Sequence, residues 1–430
     1  MKIEIVSEEL IKPSSQIPDN LKSYKLSLLD QLSPSFYIPI VLFYPPPQHC
    51  KKTTIVDKLK KSLSETLSRF YPLAGRIQED GLSVELENGG VMFKEARVNK
   101  SLSETLKNPE NSSIQQLLPL DPYRVKTEEE GVPAMAVQLN LFSCGGMGIG
   151  LCMSHKITDG TTLSSFLSAW ASSTSNSGEN DEDYITPHLH LAQLFPPKDI
   201  HVVCPRNLIK RGKIVTKRFV FDKSSLAALK TKIGSSPSRV EAVTALICKT
   251  AMNSTTRSSN KSSMVISHVV NLRPRMDPPL PEQAFGNIWR CAVAQIVQQQ
   301  PHKLELQNLV AQLREEIQKV DKNYVAKLQS EQGFIEACES LKEVCELVSQ
   351  GVVPFFKFSS WVRFPFYETD FGWGKPIWAC ITNVPIKDAV ILMSNSSGDG
   401  IEAWINLEEE DMLKFYRDPE LLEFASQAPC

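Results

Sequence analysis

The segment MSHKITDG, Met153–Gly160, places His155 and Asp159 four positions apart directly after an apolar run. In the alternating pattern of that run, His155 continues the phase of its apolar residues, so a strand would carry it to its end, where a rigid scaffold can hold it. Because imidazole has an ordinary pKa of about 6.5, it can accept and donate a proton near neutral pH. His155 is therefore a candidate general base, and Asp159 a candidate to orient it or to support its loop.

Two other kinds of site fit this segment poorly. A zinc site needs more ligands, but the sequence has no H-E-x-x-H pattern and no second histidine within thirty residues of His155. A Ser-His-Asp triad is also disfavoured, because no G-x-S-x-G elbow is present and Ser154 lies on the opposite face of the strand. We therefore expect no metal. For an isolated H-x-x-x-D pair, the ordinary interpretation is a histidine that makes a local hydrogen bond. Other motifs must therefore decide whether His155 is catalytic.

The periodicity of the chain predicts the elements that would position this motif. Residues 134–142 and 147–153 flank a Cys-Gly-Gly turn and predict an antiparallel hairpin, and residues 163–170 predict a helix directly after the motif. Further helices are predicted over residues 55–70, 239–252 and 306–320, and a strand over 264–273. The alternation of periods predicts an α/β (mixed-sheet α+β) fold.

The length and charge of the chain limit its organisation and its partners. A chain of 430 residues favours two domains, which we place at 1–190 and 213–430, joined by a proline-rich and charged crossover linker at 191–212. The 47 basic and 49 acidic residues balance to a net charge of −2, so we expect neither nucleic-acid nor membrane binding.

The cysteines and the hydropathy indicate a compartment. The first residues lack the apolar segment of a secretory signal, and no stretch approaches the about 20 apolar residues of a membrane span. The ten cysteines form no C-x-x-C pair, which is typical of buried free thiols in a reducing environment. We therefore expect a cytoplasmic protein.

Several motifs elsewhere in the chain favour a functional interpretation of the histidine motif. DFGWG stands at Asp370–Gly374, LAGR at residues 73–76, and NLRPRMDPPLPEQAFGNI at residues 271–288. Together with H-x-x-x-D-G, and in this order, they resemble the BAHD family of plant acyl-CoA-dependent acyltransferases. The N-terminal VSEELIKPSS and LSLLDQL, with GRIQED and SGDGIEAW, are most similar to the vinorine synthase-like group of alkaloid O-acetyltransferases. EQAFGN departs from the YFGN common in the family, which puts the choice of acceptor in doubt.

This resemblance implies a fold and a reaction. The family fold has two chloramphenicol acetyltransferase-like domains with a central channel, which acyl-CoA and the alcohol enter from opposite faces. His155 would take the proton from the alcohol as it attacks the thioester and return it to the CoA thiolate, in a ternary complex. The resemblance thus implies a monomeric O-acetyltransferase of alkaloid metabolism, with acetyl-CoA as co-substrate and no permanently bound cofactor.

The resemblance also implies roles for further residues. Asp159 would be architectural and pair with Arg273, with Arg275 as the alternative partner. Gly160 would permit a tight turn or a close approach of the backbone. In the DFGWG loop, Asp370, Gly372, Trp373 and Gly374 would be structural, although Trp373 could also approach the pantetheine.

The contacts to CoA and to the reacting atoms are less constrained. CoA phosphates require basic groups and N–H donors, for which Ser238, Arg239 and Lys249 are candidates, with a helix cap and solvated charges as the ordinary interpretations. Asn287 could hold the oxyanion or the substrate, or be a turn asparagine.

Three other functions remain open at this point. The first is hydroxycinnamoyl, benzoyl or other acyl transfer to a terpenoid or phenolic alcohol. The second is a repurposed paralogue that binds an acylated alkaloid. The third, a hydrolase, has the wrong motifs.

Overall fold

The computed structural model describes residues 1–47, 52–87, 89–124, 131–175, 185–198, 213–254, 263–297, 304–335, 339, 342 and 353–429. The chain divides into two compact units. Unit 1 comprises Met1–His201, Pro281–Ile288 and Phe364–Thr382, and unit 2 comprises Val202–Leu280, Trp289–Arg363 and Asn383–Cys430.

Strands and helices alternate along the whole described chain. The strands are β1 (Ile3–Ile11), β2 (Ser23–Lys25), β3 (Tyr37–Tyr44), β4 (Arg76–Ile77), β5 (Ser83–Glu85), β6 (Val91–Val98), β7 (Val132–Pro133), β8 (Met135–Phe142), β9 (Met147–Ser154), β10 (Ile214–Phe221), β11 (Ser263–Asn271), β12 (Trp289–Val297), β13 (Phe355–Ser360), β14 (Trp378–Cys380), β15 (Ala389–Ser394), β16 (Ile401–Glu408) and β17 (Ser426–Ala428). The helices are α1 (Leu28–Gln31), α2 (Lys52–Arg69), α3 (Leu102–Lys107), α4 (Asn111–Gln115), α5 (Gly160–Ser175), α6 (Leu191–Leu194), α7 (Lys223–Ile233), α8 (Arg239–Ser254), α9 (Leu306–Lys319), α10 (Lys322–Gln329), α11 (Glu409–Phe415) and α12 (Pro419–Phe424).

Unit 1 is built on a six-stranded mixed sheet in the order β1-β6-β8-β9-β3-β14. The predicted hairpin is its centre: β8 and β9 pair antiparallel, and β9 also pairs antiparallel with β3. All eight residues of β9 are buried, since neighbours cover both faces of this central strand. Helix α5 packs on α2, where the indole Nε1 of Trp170 donates to Ser62 Oγ at 3.1 Å. A smaller sheet, β2-β5-β4-β7, completes the unit.

Unit 2 contains a seven-stranded mixed sheet in the order β12-β11-β13-β15-β16-β10-β17. Its apolar face and the helices α7, α8, α9 and α11 bury one continuous core, which includes Phe219, Leu246 and Ile405. Burial of such side chains contributes roughly 1.5–3 kcal/mol each. The capping box predicted at Ser238 begins α8, because Glu241 N donates to Ser238 Oγ at 3.2 Å and Ser238 N to Glu241 Oε2 at 2.7 Å.

The predicted elements and fold class are confirmed. The predicted C-terminal domain, however, differs from the unit that the structure shows. We assigned residues 213–430 to one domain, whereas segments 281–288 and 364–382 belong to unit 1. The reason is long-range pairing: β14 adds to the edge of β3, with Ala379 opposite Leu42. Local periodicity carries no signal for such a pairing. In the predicted linker, residues 199–212 lie outside the described residues, and residues 191–194 form α6.

Within the described residues, no helix combines the length and the apolar character that crossing a bilayer requires.

Candidate active site

His155 stands immediately after β9, at the position that the strand phase predicted. Its backbone N–H donates to Phe36 O at 2.8 Å, and its ring meets the ring of Phe36 edge to face at 5.4 Å. The following turn is closed by Thr158 Oγ1, which donates to Ser154 O at 2.7 Å. The imidazole is half-buried, so the strand end and the turn hold it at a fixed place without enclosing it.

Asn287 is one of the groups that hold the imidazole. Its Oδ1 lies 3.1 Å from His155 Nδ1, and its Nδ2 donates to the backbone oxygen of His155 at 2.9 Å. The same Nδ2 donates to Asp30 Oδ1 at 3.0 Å. Asn287 is 0% exposed. A buried amide that makes these three bonds cannot rotate without losing them, so its oxygen stays directed at His155 Nδ1.

The geometry contradicts an oxyanion role for Asn287. An amide nitrogen carries two hydrogens, and those of Asn287 are donated to Asp30 and to the backbone of His155. Neither remains for a developing negative charge on the substrate. Asn287 does lie beside the candidate base, and its Oδ1 contacts the imidazole at Nδ1.

Sequence reasoning missed Asp30 and Ser27. They form a capping box at the start of α1: Asp30 N donates to Ser27 Oγ at 3.1 Å, and Ser27 N donates to Asp30 Oδ2 at 3.0 Å. The spacing S-x-x-D in LSLLDQL is a recognisable signal for such a cap. Nothing in the sequence indicates that the cap lies beside Asn287, because 257 residues separate Asp30 from it.

The surroundings of His155 shift its proton equilibrium. Burial lowers the pKa of His155 below its ordinary value, because desolvation disfavours the imidazolium, and hydrogen bonding together with the Asp159 charge opposes the shift only in part. The neutral imidazole is therefore the dominant form at pH 7, and this is the form that can accept a proton.

Asp159 points into the protein rather than serving as a partner of His155 Nδ1. Its Oδ1 accepts the backbone N–H of Thr162 at 2.8 Å, which caps α5, and its Oδ2 accepts the backbone N–H of Ile288 at 3.0 Å. Both contacts are to backbone N–H groups, which is consistent with an architectural role, and that role stays a prediction. Asp159 belongs to unit 1 and Arg273 to unit 2, so their pairing stays a prediction. Within unit 2, Arg273 is buried beside Asn271, and Arg275 donates to Val320 O at 2.7 Å.

Two glycines allow close packing around the motif. Gly160 is the first residue of α5, and a Cβ there would lie 2.5 Å from a ring atom of Phe364. The glycine therefore allows the Phe364 ring to approach the backbone closely, rather than allowing a tight turn. Gly286 has a φ of +117°, and a Cβ there would lie 2.5 Å from Leu191 and 3.4 Å from Asp30 Oδ1. Gly286 N and O both contact Thr162 Oγ1 at 3.2 Å. The segment that carries Asn287 is thereby held on both sides.

The DFGWG loop is organised by its aspartate. Asp370 Oδ1 accepts the backbone N–H groups of Gly372 at 2.8 Å and of Gly374 at 2.9 Å, and both glycines have positive φ. Trp373 stacks on Phe371 with ring centroids 5.5 Å apart. These contacts are those of a packed structural loop in unit 1. They leave the predicted approach of Trp373 to pantetheine as a prediction.

The candidate CoA residues lie in unit 2, each with a partner there. Ser238 caps α8, and Arg239 Nη1 donates to Gly398 O at 2.8 Å. Lys249 pairs with Glu420 at 2.7 Å, so its charge is already matched. Their role toward CoA stays a prediction.

Neither neighbour of His155 in the strand is arranged as a nucleophile. Ser154 Oγ accepts the backbone N–H of Lys156 at 3.3 Å, and its side chain is buried. Burial raises the pKa of the Cys152 thiol far above its ordinary value, so the reactive thiolate is not formed. In the described part of the chain, no group of three or more His, Cys, Asp or Glu side chains is placed to hold a metal ion.

Comparison with known proteins gives this geometry a context. The sequence profile of the Transferase family matches residues 1–422. Stemmadenine O-acetyltransferase of Catharanthus roseus is 39% identical in an alignment 424 residues long that covers 96% of this chain and 95% of that protein. Limonoid 1-O-acetyltransferase of Citrus sinensis is 37% identical in an alignment that is 447 residues long, gaps included, and covers 99% of each chain.

Solved structures agree with the sequence comparison. The crystal structure of vinorine synthase, a protein of Rauvolfia serpentina, has a TM-score of 0.84 and 38% identity, with 99% of each chain covered. The structure of Fusarium graminearum TRI101 complexed with coenzyme A and T-2 mycotoxin has a TM-score of 0.72 over 94% of this chain and 99% of that one. At 17% identity, this second similarity shows the fold alone.

Proposed function

This chain is an acyltransferase that belongs to the Transferase family, the BAHD acyltransferases, and on that premise we propose that it transfers an acetyl group from acetyl-CoA to an alkaloid hydroxyl with His155 as general base. The observation that carries this proposal is the bond between His155 Nδ1 and Asn287 Oδ1 at 3.1 Å. Asn287 Oδ1 can only accept, so Nδ1 carries the ring hydrogen and Nε2 bears the lone pair. An imidazole held in this way presents Nε2 as the base.

The proposed reaction balances with one histidine. His155 Nε2 takes the proton of the acceptor hydroxyl while the oxygen attacks the thioester carbonyl carbon. The carbon–sulfur bond then breaks, and the CoA thiolate takes the proton from Nε2–H. Since His155 returns to its neutral form, no residue needs to become acylated. Direct transfer requires both substrates to be bound together, and their proximity supplies much of the rate.

The alcohol is proposed at the level of a compound class. Relatives named for stemmadenine and for limonoids have nearly equal identity to this chain, 39% and 37%. An alkaloid alcohol is our first candidate, because the N-terminal and SGDGIEAW segments resemble alkaloid O-acetyltransferases. A limonoid alcohol is the second candidate, because the limonoid acetyltransferase matches 99% of this chain.

One experiment tests donor and acceptor together. The purified protein is incubated with a panel of acyl-CoAs and of alkaloid and limonoid alcohols, and the products are identified by mass spectrometry. We expect an acceptor heavier by one acetyl group and equimolar free CoA with wild type, and product formation about 10²–10⁴-fold slower with His155→Ala. CoA released without any acceptor product would indicate a hydrolase, and binding of an acylated alkaloid without turnover would indicate a repurposed paralogue.

We also propose that the enzyme acts as a monomer in the cytosol. Among the described residues, Cys144, Cys152, Cys248, Cys291 and Cys380 are free thiols, which supports a reducing compartment. Localisation of a fluorescent fusion and the solution mass of the purified protein test these two points. A secreted or dimeric protein would contradict them.

A further inference from the structure

The reaction proposed above leaves one buried charged group beside the site without a role. Asp30 is 0% exposed and lies in α1. Its two oxygens accept four hydrogen bonds: Oδ2 from Ser27 N at 3.0 Å and Ser27 Oγ at 2.6 Å, and Oδ1 from Asn287 N at 2.9 Å and Asn287 Nδ2 at 3.0 Å. A capping box alone needs only the contacts to Ser27. The two contacts to Asn287 are therefore not explained by the helix cap.

These contacts require Asp30 to be an acceptor on both oxygens. Three of the four partners are N–H groups, which can only donate. Ser27 Oγ accepts from Asp30 N at 3.1 Å, so its own hydrogen is directed to Oδ2. Burial raises the pKa of Asp30, and the hydrogen bonds from Ser27 and Asn287 counteract that rise. The donor set has no place for a carboxyl proton, so the carboxylate is the form that fits.

A carboxylate at this position decides which way the amide of Asn287 points. With Nδ2 toward Asp30 Oδ1 and His155 O, both amide hydrogens find acceptors. With the amide turned over, its oxygen would face those two acceptors, and a buried repulsive contact with a charged group is strongly unfavourable. The carboxylate therefore directs the amide oxygen to His155 Nδ1.

We propose that Asp30 is a positioning residue that sets the tautomer of His155 through Asn287. The chain of bonds runs from the Asp30 carboxylate to the Asn287 amide and from the amide oxygen to Nδ1–H. It leaves Nε2 unprotonated, ready to accept a proton. Its meaning for catalysis rests on the proposed function, whereas the tautomer itself does not.

The tautomer can be measured without turnover. In protein labelled with ¹⁵N-histidine, long-range proton–nitrogen NMR distinguishes a protonated Nδ1 from a protonated Nε2, and His155→Gln assigns the signal. We expect Nδ1–H for His155 in wild type. In Asp30→Asn, which keeps the shape but replaces an acceptor by a donor, we expect a mixture or Nε2–H. Asn287→Ala should remove the preference in the same way.

Kinetics give a second readout. Asp30→Asn should lower kcat in proportion to the fraction of His155 that loses the Nδ1–H tautomer, up to the about 10²–10⁴-fold range of a lost general base, while KM for acetyl-CoA changes less than about twofold, since only a transition-state interaction is lost. Asn287→Ala combined with Asp30→Asn should add little to either single loss, because both act through one chain of bonds.

A matched control separates this effect from damage to a helix cap. Ser101 and Glu104 form the same kind of capping box at α3, with Ser101 N donating to Glu104 Oε2 at 2.8 Å, and this box is exposed. Glu104→Gln makes the equivalent acid-to-amide change, and it should leave both the tautomer and kcat unchanged.

Each outcome decides the proposal. Folded Asp30→Asn that keeps Nδ1–H and wild-type kcat overturns it. If Asp30→Asn does not fold, the wild-type spectrum decides, because Nε2–H in wild type overturns the proposal and Nδ1–H supports it. If no alcohol is acetylated but the tautomer changes as expected, the proposed function fails and the role of Asp30 stands.

Discussion

The carboxylate of Asp159 joins two parts of the site that are 129 residues apart: its Oδ2 accepts the backbone N–H of Ile288 at 3.0 Å. Through its other oxygen, the same side chain caps α5 at Thr162. Asp159 thus connects the loop after His155 with the segment that carries Asn287. In the motif H-x-x-x-D, His155 is the candidate base, and Asp159 holds the segment that carries Asn287.

Removal of the imidazole should abolish transfer without unfolding the protein. His155 is half-buried at a strand end, so its ring contributes little to the hydrophobic core. We expect His155→Ala to lower kcat by about 10²–10⁴-fold, with an unchanged circular dichroism spectrum. His190→Ala is a matched control, because His190 is exposed and its side chain caps nothing. Turnover of folded His155→Ala at the wild-type rate would refute the assignment of the base.

The lowered pKa of His155 predicts the acid side of the pH profile. The base must be neutral to act, and burial moves the pKa of His155 below its ordinary 6.5. Activity should therefore be constant near neutrality and fall as the pH drops through the folded-state pKa, with a midpoint below 6.5. Measurement of kcat/KM across pH 4.5–8 checks this. A midpoint above 6.5 would point to a different base.

Loss of Asp159 should weaken the protein together with its activity. Asp159→Ala leaves the N–H groups of Thr162 and Ile288 without this acceptor, at about 1–3 kcal/mol for each buried donor. We expect a lower Tm and lower kcat. Asp222→Ala, which removes the exposed cap of α7 in unit 2, should lower the Tm only slightly and leave kcat unchanged. An inactive Asp159→Ala that melts like wild type would instead favour a direct role toward His155.

A substitution in the DFGWG loop should lower the stability of the protein rather than remove a catalytic group. Asp370→Ala removes the acceptor of Gly372 N and Gly374 N, each contact being worth about 0.5–1.5 kcal/mol. We expect a lower Tm and soluble yield, with kcat per folded molecule reduced far less than in His155→Ala. Urea unfolding measures the stability, and division of the activity by the folded fraction from circular dichroism separates the two effects. A Tm equal to wild type with complete loss of kcat would assign Asp370 to the chemistry.

The absence of an acylated residue should be visible in the kinetics. Because no activated nucleophile lies beside His155 among the residues that the structure describes, initial-rate lines should intersect when one substrate is varied at fixed levels of the other. Cys152→Ala should keep activity, because burial raises the pKa of its thiol and keeps it neutral. A protein mass increased by one acetyl group after acetyl-CoA alone, or parallel lines, would show a covalent intermediate.

Local information predicted the elements and the base. The alternation before His155 determined that it follows a strand, and β9 ends at Ser154 as that phase requires. The capping box at Ser238 and the spacing of residues 306–320 likewise identified α8 and α9. These features depend on contacts within a few residues, which the order of side chains specifies.

Only the tertiary structure decided what surrounds the imidazole. Asp30, His155 and Asn287 each belong to a locally ordinary pattern, a helix cap, a strand end and a turn, and their bonds span 132 and 257 residues. The same holds for β14, which joins the sheet of unit 1 from late in the chain. Periodicity and capping describe neighbours along the chain, whereas the hydrogen bonds that fix a tautomer are made between segments that only folding brings together. The sequence by itself therefore identified His155 as the candidate base, and the fold decided which side chains contact it.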